Sequence, residues 1–481
     1  MEIRIDKRRK IPLYRQIMNQ IIKQMDEGLL LKGDRLPSER ALAIESGVNR
    51  STIVRAYDEL YAQGFVERKS SSGTYVLGTT KESFSGHHHG PLFFMKDKRL
   101  TKDPYVKKLD ELIKRDNPRL INVYTGELPF DLVPNISLPS FHWKEFLQEE
   151  VSALGYLELR QTIQNLMIKT YEYQPKEDEI MLTAGGQQSL VLLMQSLLKP
   201  GDVVAIEDPS FFNGMSLFKS MSIKVIKIPV DENGLCVEEL EKVLQTESIQ
   251  MVLTNPNFQN PTGSSMSLKR RKKLVEICRT FRIPIIEDDV FGQLSYDVPH
   301  ALPLLKELAP ETVIYIGSLS KILGKRMQLG WIDAPSLVLN EVIKLRDEYE
   351  SELSIFPQVL ATHALKDDTF LKQLADLRHQ LKEKKDFLEE ELNANLEMKL
   401  TCSFPDGGYY AWLTYEGRKL VREDWNLLLK HQMAVYPSFL NAENAQSCRI
   451  NLARLTNSQT KMLVSRFKII CQLWETDSLN D

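Results

Sequence analysis

The chain has 481 residues, of which 42% are hydrophobic and 26% are charged. This composition excludes a disordered or fibrous chain, and the length, roughly three times that of a common domain, predicts more than one folding unit. The net charge of −3 gives no indication of a nucleic-acid partner. Residues 1–80, however, carry 14 Lys and Arg against 10 Asp and Glu, so +4 here leaves −7 on the remainder. That asymmetry is a reason to consider the two parts separately.

Cysteine usage and the N-terminal segment indicate a cellular compartment. The five cysteines lie far apart and form no CxxC pair, which favours reduced thiols over a disulfide framework or a zinc site. The N-terminus has no apolar run after its basic cluster, and no apolar stretch approaches the roughly 20 residues that span a bilayer. We therefore expect a cytoplasmic protein.

The first eighty residues have the pattern of a winged helix-turn-helix. Apolar side chains at helical spacing predict a helix over 12–27. Pro37 and Ser38 open a second, short helix that ends at Gly47, and Ser51 opens a third. Two short helices joined by a tight turn are typical of a helix-turn-helix. Two short strands around a polar, glycine-containing tip then predict a β-hairpin wing over the following residues to 76.

The predicted recognition helix begins with Arg50, Ser51 and Thr52. The N-terminal residues of such a helix reach base edges or phosphates in the major groove, where arginine suits guanine and hydroxyls suit phosphate or either base type. Arg40, at the head of the preceding helix, is expected near the DNA backbone. These side chains could instead be solvated surface residues, but the arrangement as a whole favours DNA binding.

The run from Gly33 to Val76 resembles the winged helix-turn-helix of the GntR family of bacterial transcription regulators; it reads GDRLPSERALAIESGVNRSTIVRAYDELYAQGFVERKSSSGTYV. The similarity covers nearly all of residues 10–77 and defines a DNA-binding domain over 1–78. It implies that the DNA-contacting positions are Arg40, Arg50, Ser51, Thr52 and the wing around Gly73.

Residues 79–117 are polar and rich in Gly and Lys, which predicts a linker. The three histidines at 87–89 could suggest a metal site. Three consecutive side chains of a regular helix or strand cannot converge on one ion, however, and no carboxylate cluster accompanies them. We therefore expect a solvated linker without a bound metal.

Apolar strands and amphipathic helices alternate from about residue 118. The predicted strands are 203–206, 225–228, 251–253, 284–286 and 313–316, and the predicted helices are 186–198, 236–246 and 268–281. This alternation predicts a three-layer α/β domain with a mainly parallel sheet. In open sheets of this kind, ligands bind at the carboxyl ends of the strands.

Four segments with unusual residues fall at those strand ends. TAGGQQ, 183–188, places small residues at a helix N-terminus, which suits a phosphate but also an ordinary tight turn. NPNFQNPTG, 255–263, is a polar loop of a kind that is common without function. Three carboxylates at 287–289 follow a buried strand, so a cationic partner is expected. Lys321 lies between small hydroxyl residues, and a lysine in a partly apolar pocket can form a Schiff base.

A phosphate cradle, a carboxylate and a lysine together fit pyridoxal 5′-phosphate (PLP). Its aldehyde would condense with Lys321, Asp288 would pair with the pyridinium nitrogen, and Asn260 would bond the ring oxygen. An aromatic face over the ring is expected from the segment that contains Phe211. A dinucleotide site, the alternative in a doubly wound domain, lacks a GxGxxG motif after a strand.

Residues 118–481 resemble the fold-type I aminotransferases, with a large domain and a C-terminal small domain over roughly 350–481. The matching landmarks, in order, are TAGGQQ, EDPSFF, NPNFQNPTG, IIEDDVFG, GSLSK, GGYYAWL and CRINLA. A GntR-type head joined to such a domain is similar to the MocR/GabR subfamily of regulators.

The resemblance also implies a role for each matching residue. The implied phosphate ligands are Gly186, Gln187, Ser318 and Ser320. The implied ring contacts are Phe211 on its face, Asn260 at its oxygen and Asp288 at its nitrogen. Lys321 is the implied Schiff-base lysine, and Arg449 is the implied carboxylate-binding arginine of the effector, a role that suits its forked guanidinium.

Three positions depart from the family pattern. Gln328 stands where an arginine usually binds the phosphate, and Arg326 is the expected substitute, with Lys325 as the alternative. Phe291 stands where a tyrosine usually shares the ring oxygen, and Asn213 replaces a second substrate-binding arginine of the GABA-sensing member. GABA is therefore not the expected ligand.

These observations predict a PLP-dependent transcription regulator that binds operator DNA as a homodimer. A small amine or amino acid would be sensed as an external aldimine, and the resemblance implies a head-to-tail arrangement of the two subunits. The alternatives are an active aminotransferase with an accessory DNA-binding head and a degenerate domain that has lost its cofactor. The altered phosphate and ring-oxygen contacts argue against optimised turnover.

Overall fold

A computed structural model describes residues 3, 5, 11–26, 30, 33–62, 64–69, 73–77, 103–115, 117–146, 148–297, 302–349 and 352–477. The chain divides into two compact units, Met1–Thr101 and Lys102–Asp481. No helix in the described part of the chain is long and apolar enough to span a membrane. The predicted wing tip at 70–72 and most of the predicted linker, with the histidines at 87–89, lie outside the described residues.

The first unit has the predicted winged helix-turn-helix fold. Its elements are α1 (Leu13–Asp26), α2 (Glu39–Ser46), α3 (Arg50–Ala62), β1 (Val66–Lys69) and β2 (Gly73–Val76). The side chain of Ser38 caps α2 by accepting a hydrogen bond from the Ala41 N–H at 3.2 Å, and Gly47 ends the helix with a positive φ of 63°. The sequence signals for this short helix therefore act as expected.

One small core holds the first unit together. Apolar side chains of all three helices and both strands meet in it, including Ile17, Ile53, Leu60 and Val76. The backbone of 33–36 pairs with β2, since the Gly33 N–H donates to the Val76 carbonyl at 2.8 Å. The wing is therefore a hairpin extended by a third, short segment that precedes α2.

The second unit begins earlier than predicted. The helix α4 (Pro104–Lys114) falls inside the predicted linker 79–117, yet it buries Tyr105, Leu109 and Leu112 in the second unit. Pro104 at its first turn and Asp103, whose carboxylate accepts the Tyr105 N–H at 2.8 Å, give this helix a well-formed start. The charged face of α4 makes its sequence look like a solvated linker.

The large domain alternates strands and helices as predicted. After α4 the elements are β3 (Ile121–Asn122), α5 (Trp143–Phe146), β4 (Val151–Ser152), β5 (Gly155–Tyr156), α6 (Leu157–Tyr171), β6 (Ile180–Thr183), α7 (Gly186–Leu197), β7 (Val203–Asp208), α8 (Ser216–Ser220), β8 (Lys224–Asp231), β9 (Gly234–Leu235), α9 (Val237–Thr246), β10 (Ile249–Thr254), α10 (Leu268–Phe281), β11 (Ile285–Asp288), α11 (Leu305–Leu308), β12 (Val313–Ser318), β13 (Gly330–Asp333) and α12 (Ser336–Tyr349).

An eight-stranded sheet forms the centre of this domain, in the order β6-β13-β12-β11-β10-β7-β8-β9. The strands β8, β7, β10, β11 and β12 are parallel neighbours, and β13 runs antiparallel to both β12 and β6. Strands β6, β7, β10, β11 and β12 therefore all point their carboxyl ends toward one edge. Helices cover both faces and bury nearly continuous apolar strands.

The C-terminal part contains an antiparallel sheet in the order β14-β15-β18-β17. Its elements are α13 (Ile355–Lys366), α14 (Phe370–Asn393), β14 (Leu400–Ser403), β15 (Tyr410–Tyr415), α15 (Asn426–Lys430), β16 (Met433–Ala434), β17 (Tyr436–Pro437), β18 (Ser447–Asn451) and α16 (Asn457–Asp477). Strand β16 pairs with β3, which ties the beginning of the second unit to this small domain.

Candidate functional site

A cavity of about 430 Å³ opens at the carboxyl edge of the large sheet. The segments that follow all five of the strand ends that meet there contribute to its wall. The predicted residues that line it are Gly186, Gln187, Phe211, Asn260, Asp288, Ser318, Ser320 and Lys321. Residues that sequence reasoning did not assign also line it, among them Gly126, Glu127 and Asn255.

One end of the cavity is formed by small residues and a helix N-terminus. The backbone turns at Gly185, whose φ is +94°, and α7 begins at the next residue. A Cβ on Gly330 would lie 2.8 Å from the backbone of both Gly185 and Gly186, so the strand can pass this turn only as glycine. Free N–H groups at a helix start and the nearby hydroxyls of Ser318 and Ser320 make this end suited to an anion.

Asp288, at the end of β11, faces the cavity with an incomplete set of partners. Burial is the main cause that raises the pKa of its carboxyl to about 6. Its Oδ1 is buried without a hydrogen-bond partner. The backbone carbonyl of the same residue accepts a hydrogen bond from Asn255 Nδ2 at 2.9 Å, which fixes the strand end. A buried acceptor of this kind is suited to a protonated ring nitrogen, because an unmade hydrogen bond is costly there.

The adjacent carboxylates do not share a cation in the cavity, although a cationic partner was expected for all three. Glu287 accepts the N–H groups of Leu305 and Lys306 at 2.9 and 2.8 Å, at the start of α11. Asp289 accepts hydrogen bonds from two tyrosine hydroxyls and an asparagine amide. Burial is again the main cause that raises their pKa values, to about 7 for Glu287 and about 6 for Asp289. Of the three, Asp288 lines the cavity.

Lys321 extends into the cavity from the turn after β12. Its Nζ donates a hydrogen bond to the Gly126 carbonyl at 3.0 Å and lies 5.0 Å from the centre of the Phe291 ring. Phe291 makes edge-to-face contacts with Tyr409 and Tyr410, each with 5.1 Å between ring centres. The lysine amine therefore lies in a partly apolar setting with one carbonyl partner. The GGYYAWL landmark contains both tyrosines, but sequence reasoning gave them no role.

Arg449, on β18, is 7% exposed and lies directly behind Asn260, which lines the cavity. Its Nη1 donates to Asn260 Oδ1 and its Nη2 to the Tyr124 carbonyl, both at 2.9 Å. The guanidinium carbon lies 4.2 Å from the centre of the Tyr410 ring and 4.5 Å from that of Tyr436. Its Nε is buried and unpartnered, and no carboxylate of the described residues pairs with it.

The prediction for Arg326 is not met by the geometry. Its side chain is exposed and does not line the cavity, whereas Lys325 and Gln328 do. The three lie in and after a 3₁₀ turn, Lys325–Met327. Successive side chains of a 3₁₀ turn point about a third of a circle apart, so Arg326 points away from the direction in which Lys325 faces the cavity.

Phe211 lines the cavity and its backbone N–H donates to the Asn260 carbonyl at 2.9 Å. Asn213, two residues further on, is occupied elsewhere. Its Nδ2 donates to Asp208 Oδ1 at 2.8 Å and to the Asn441 carbonyl at 2.9 Å. This position therefore presents no charge to the cavity.

The first unit carries the predicted DNA-contacting residues on its surface. Arg50 begins α3 with a side chain that is 69% exposed, and its Nη2 lies 3.1 Å from Glu39 Oε2. Arg40 and Ser51 are exposed and Thr52 is half-buried. Gly73 opens β2 with a φ of +118°, and a Cβ there would lie 2.9 Å from Arg35 Nε. Arg35 thus lies beside the wing, a placement that comes from the pairing of 33–36 with β2.

The cavity fits PLP on observations of this structure. It has an anion-suited helix start, a buried carboxylate oxygen without a partner, and a lysine amine beside an aromatic ring. The fold and this site together define a PLP-binding domain of the aminotransferase type, in one chain with a winged helix-turn-helix.

Comparison with known proteins gives the same two parts. Residues 137–467 match the family model "Aminotransferase class I and II", and residues 13–76 match "Bacterial regulatory proteins, gntR family". The multiple substrate aminotransferase of Thermococcus profundus superposes with a TM-score of 0.72 at 22% identity, over 81% of this chain and 100% of that one. An archaeal alanine:glyoxylate aminotransferase gives 0.69 at 26% identity, over 80% and 99%.

Relatives with both parts are transcriptional regulators by name. The HTH-type transcriptional regulator YdfD of Bacillus subtilis, named as uncharacterized, is 31% identical over 85% of each chain. NorG of Staphylococcus aureus, also named an HTH-type transcriptional regulator, is 26% identical over 89% of this chain and 97% of its own. The chain belongs to this family of GntR-type regulators with an aminotransferase class I and II domain. It is a PLP-dependent transcription regulator, and the enzyme alternative is not favoured.

Proposed function

We propose that the cavity senses a small amine or amino acid and that its occupancy changes the affinity of the winged helix-turn-helix for operator DNA. Control of transcription requires that two arrangements of the DNA-binding heads differ in free energy of binding. Such a regulator acts in the bacterial cytoplasm, where the chromosome lies.

Arg449 is the observation that carries the proposal. A buried guanidinium without a carboxylate partner is costly unless a ligand supplies the anion. Two tyrosine rings hold its plane, so little side-chain freedom is lost when a carboxylate binds to the fork. We therefore expect an effector that carries a carboxylate as well as an amine. The neutral, internally bonded Asn213 gives no second anion site of the kind that an arginine would provide.

The residues of the cavity hold the cofactor as follows. Backbone N–H groups at Gly186 and Gln187, with the hydroxyls of Ser318 and Ser320, bind the phosphate. Phe211 would cover the ring, and the Asp288 carboxylate would accept a hydrogen bond from the protonated ring nitrogen. Bound PLP supplies an aldehyde that reacts with primary amines, and Lys321 is the amine that the protein provides.

Asn260 links the cofactor to the effector. Its Oδ1 accepts from Arg449, which leaves its amide N–H groups to donate to the ring oxygen of the cofactor. A carboxylate that binds Arg449 therefore competes with Asn260 for the guanidinium. Effector binding at Arg449 would therefore also change the hydrogen bonding of Asn260 at the ring oxygen.

The regulator acts as a homodimer in this proposal. Helix-turn-helix dimers bind two half-sites that lie about one helical turn, or a multiple of it, apart. By family resemblance the two subunits are arranged head to tail. The head itself has a local charge of only +4 over residues 1–80, so specific binding depends on base contacts and on pairing two heads.

The test measures operator affinity as amino acids are added. Labelled fragments from the flanks of the regulator's own gene are titrated with PLP-loaded full-length protein at fixed salt, with and without a panel of amines and amino acids. We expect one class of amino acid to shift the Kd for DNA. In Arg449→Met, that shift should need roughly 10- to 100-fold more of the amino acid, because a charge-assisted contact is lost.

The corresponding amine without a carboxylate is the internal control, since its effect should not change in Arg449→Met. Steady-state transamination is measured on the same full-length protein. Robust turnover without any specific operator binding would overturn the proposal in favour of an enzyme with an accessory head.

A further inference from the structure

Two cationic side chains line the cavity in the described part of the chain, Lys321 and Lys325. The amine of Lys321 is the group that meets the cofactor's aldehyde. Lys325 lies four residues further on, and its Nζ is 2.5 Å from Glu127 Oε1. Glu127 lines the same cavity, so this ion pair lies at its wall. Gln328 also lines the cavity but is neutral.

The charge of the phosphate of PLP exceeds the partial positive charge that a helix start supplies. A phosphomonoester carries between one and two negative charges near neutral pH. The N–H groups at the start of α7 and the hydroxyls of Ser318 and Ser320 supply only partial charges. Lysine binds phosphate as a compact point charge.

We propose that Lys325 is the cation that pairs with the cofactor's phosphate, and that Glu127 competes with the phosphate for it. The side chains of Lys325 and Glu127 are 61% and 41% exposed, and ion pairs this exposed contribute little. The exchange of one anion for the other therefore costs little. Arg326 takes no part, because its side chain lies outside the cavity.

Competition between Glu127 and the phosphate for Lys325 would make cofactor binding change the contacts of the segment around Gly126. The carbonyl of Gly126 accepts from Lys321 and from the Tyr409 hydroxyl, at 3.0 and 3.1 Å, and the next residue is Glu127. Both lysines that contact this segment are thus groups that the cofactor engages. The inference rests on the PLP assignment of the site and is independent of the proposed effector.

The experiment compares two ligands that differ only in the phosphate. Cofactor-free full-length protein is titrated with PLP and with pyridoxal, and the dissociation constants are measured from absorbance and from quenching of tryptophan fluorescence. Lys325→Met keeps the apolar stem of the side chain and removes its charge. We expect it to bind PLP about tenfold more weakly, because a charge-assisted contact is lost at a partly exposed site, and to bind pyridoxal as the wild type does.

Arg326→Met is the matched control and should bind both ligands as the wild type does. Glu127→Gln removes the competing anion and should bind PLP a few-fold more tightly, again without an effect on pyridoxal. The inference is overturned if Lys325→Met weakens both ligands equally, if Arg326→Met produces the loss instead, or if Glu127→Gln weakens PLP binding.

A separate measurement distinguishes a wrong role for Lys325 from a wrong assignment of PLP to the cavity. Wild-type protein treated with PLP or pyridoxal and then with borohydride should carry the ligand on Lys321. If neither ligand is fixed there, the PLP assignment fails as a whole, whereas fixation of both with unaltered PLP affinity in Lys325→Met rejects the role of Lys325 alone.

Discussion

Replacing Asp288 by asparagine should change the stability of the cofactor-free protein and its cofactor affinity in opposite directions. Burial raises the pKa of this carboxyl from its ordinary 3.8 to about 6. The folded state therefore binds the proton more tightly than the unfolded state does. The resulting stability is fully present below about pH 4 and is lost as the pH rises through about 6.

The size of the effect follows from that difference in pKa. About two pKa units correspond to about 3 kcal/mol at most, which the ionised carboxylate costs the folded protein above pH 7. Asparagine cannot ionise. We expect the free energy of unfolding of Asp288→Asn, relative to that of the wild type, to rise by about 2 kcal/mol between pH 4.5 and pH 8, because about 1 kcal/mol of the difference is already present at pH 4.5. In the same variant, PLP should bind roughly 10- to 100-fold more weakly, because the carboxylate that faces the ring nitrogen is gone.

Urea unfolding followed by tryptophan fluorescence measures the first effect. All five tryptophans lie in the second unit, so the signal reports the unit that contains Asp288. Asp368→Asn, at an exposed carboxylate, is the control and should show no pH-dependent difference. The role of Asp288 at the ring nitrogen would be refuted if Asp288→Asn lost stability relative to the wild type between pH 4.5 and pH 8. It would also be refuted if Asp288→Asn bound PLP with wild-type affinity.

Three further substitutions test the head and the scaffold. Arg50→Ala should weaken operator binding by roughly 1–3 kcal/mol and relax specificity at one base pair, measured by fluorescence anisotropy. The prediction would be contradicted if the wild-type protein bound operators with different bases at that position equally well. Lys306→Met leaves the buried carboxylate of Asp333 without its cation, 3.4 Å away, and should cost about 3–5 kcal/mol of unfolding free energy in urea. Gly330→Ala places a Cβ 2.8 Å from the backbone at Gly186. Thermal unfolding should therefore occur at a lower temperature, and PLP should bind more weakly. Unaltered PLP affinity would show that this turn is not the phosphate site.

Strand-end motifs made most of the site predictable. A parallel sheet brings the carboxyl ends of its strands to one edge, so residues as far apart as Gly186 and Lys321 could be placed in one cavity from their positions after predicted strands. The helices of the head were equally predictable, because Ser38 and Gly47 are local helix-start and helix-end signals whose effect does not depend on the rest of the chain. The predicted C-terminal end of the linker, residue 117, was wrong because α4 lies before it. The apolar side chains of α4 are buried only by residues far away in the sequence, so the local pattern did not reveal the helix.

The sequence by itself determined the two-part architecture, the order of strands and helices, and the chemistry at each strand end, because periodicity and turn residues act over a few neighbouring positions. Only the tertiary structure decided which groups meet across long separations. Arg449 is held between Tyr410 and Tyr436, and Glu127 reaches Lys325, through strand pairing and docking that no local pattern encodes. It also decided that Lys325 rather than Arg326 lines the cavity, because one step along a 3₁₀ turn redirects a side chain by about a third of a circle.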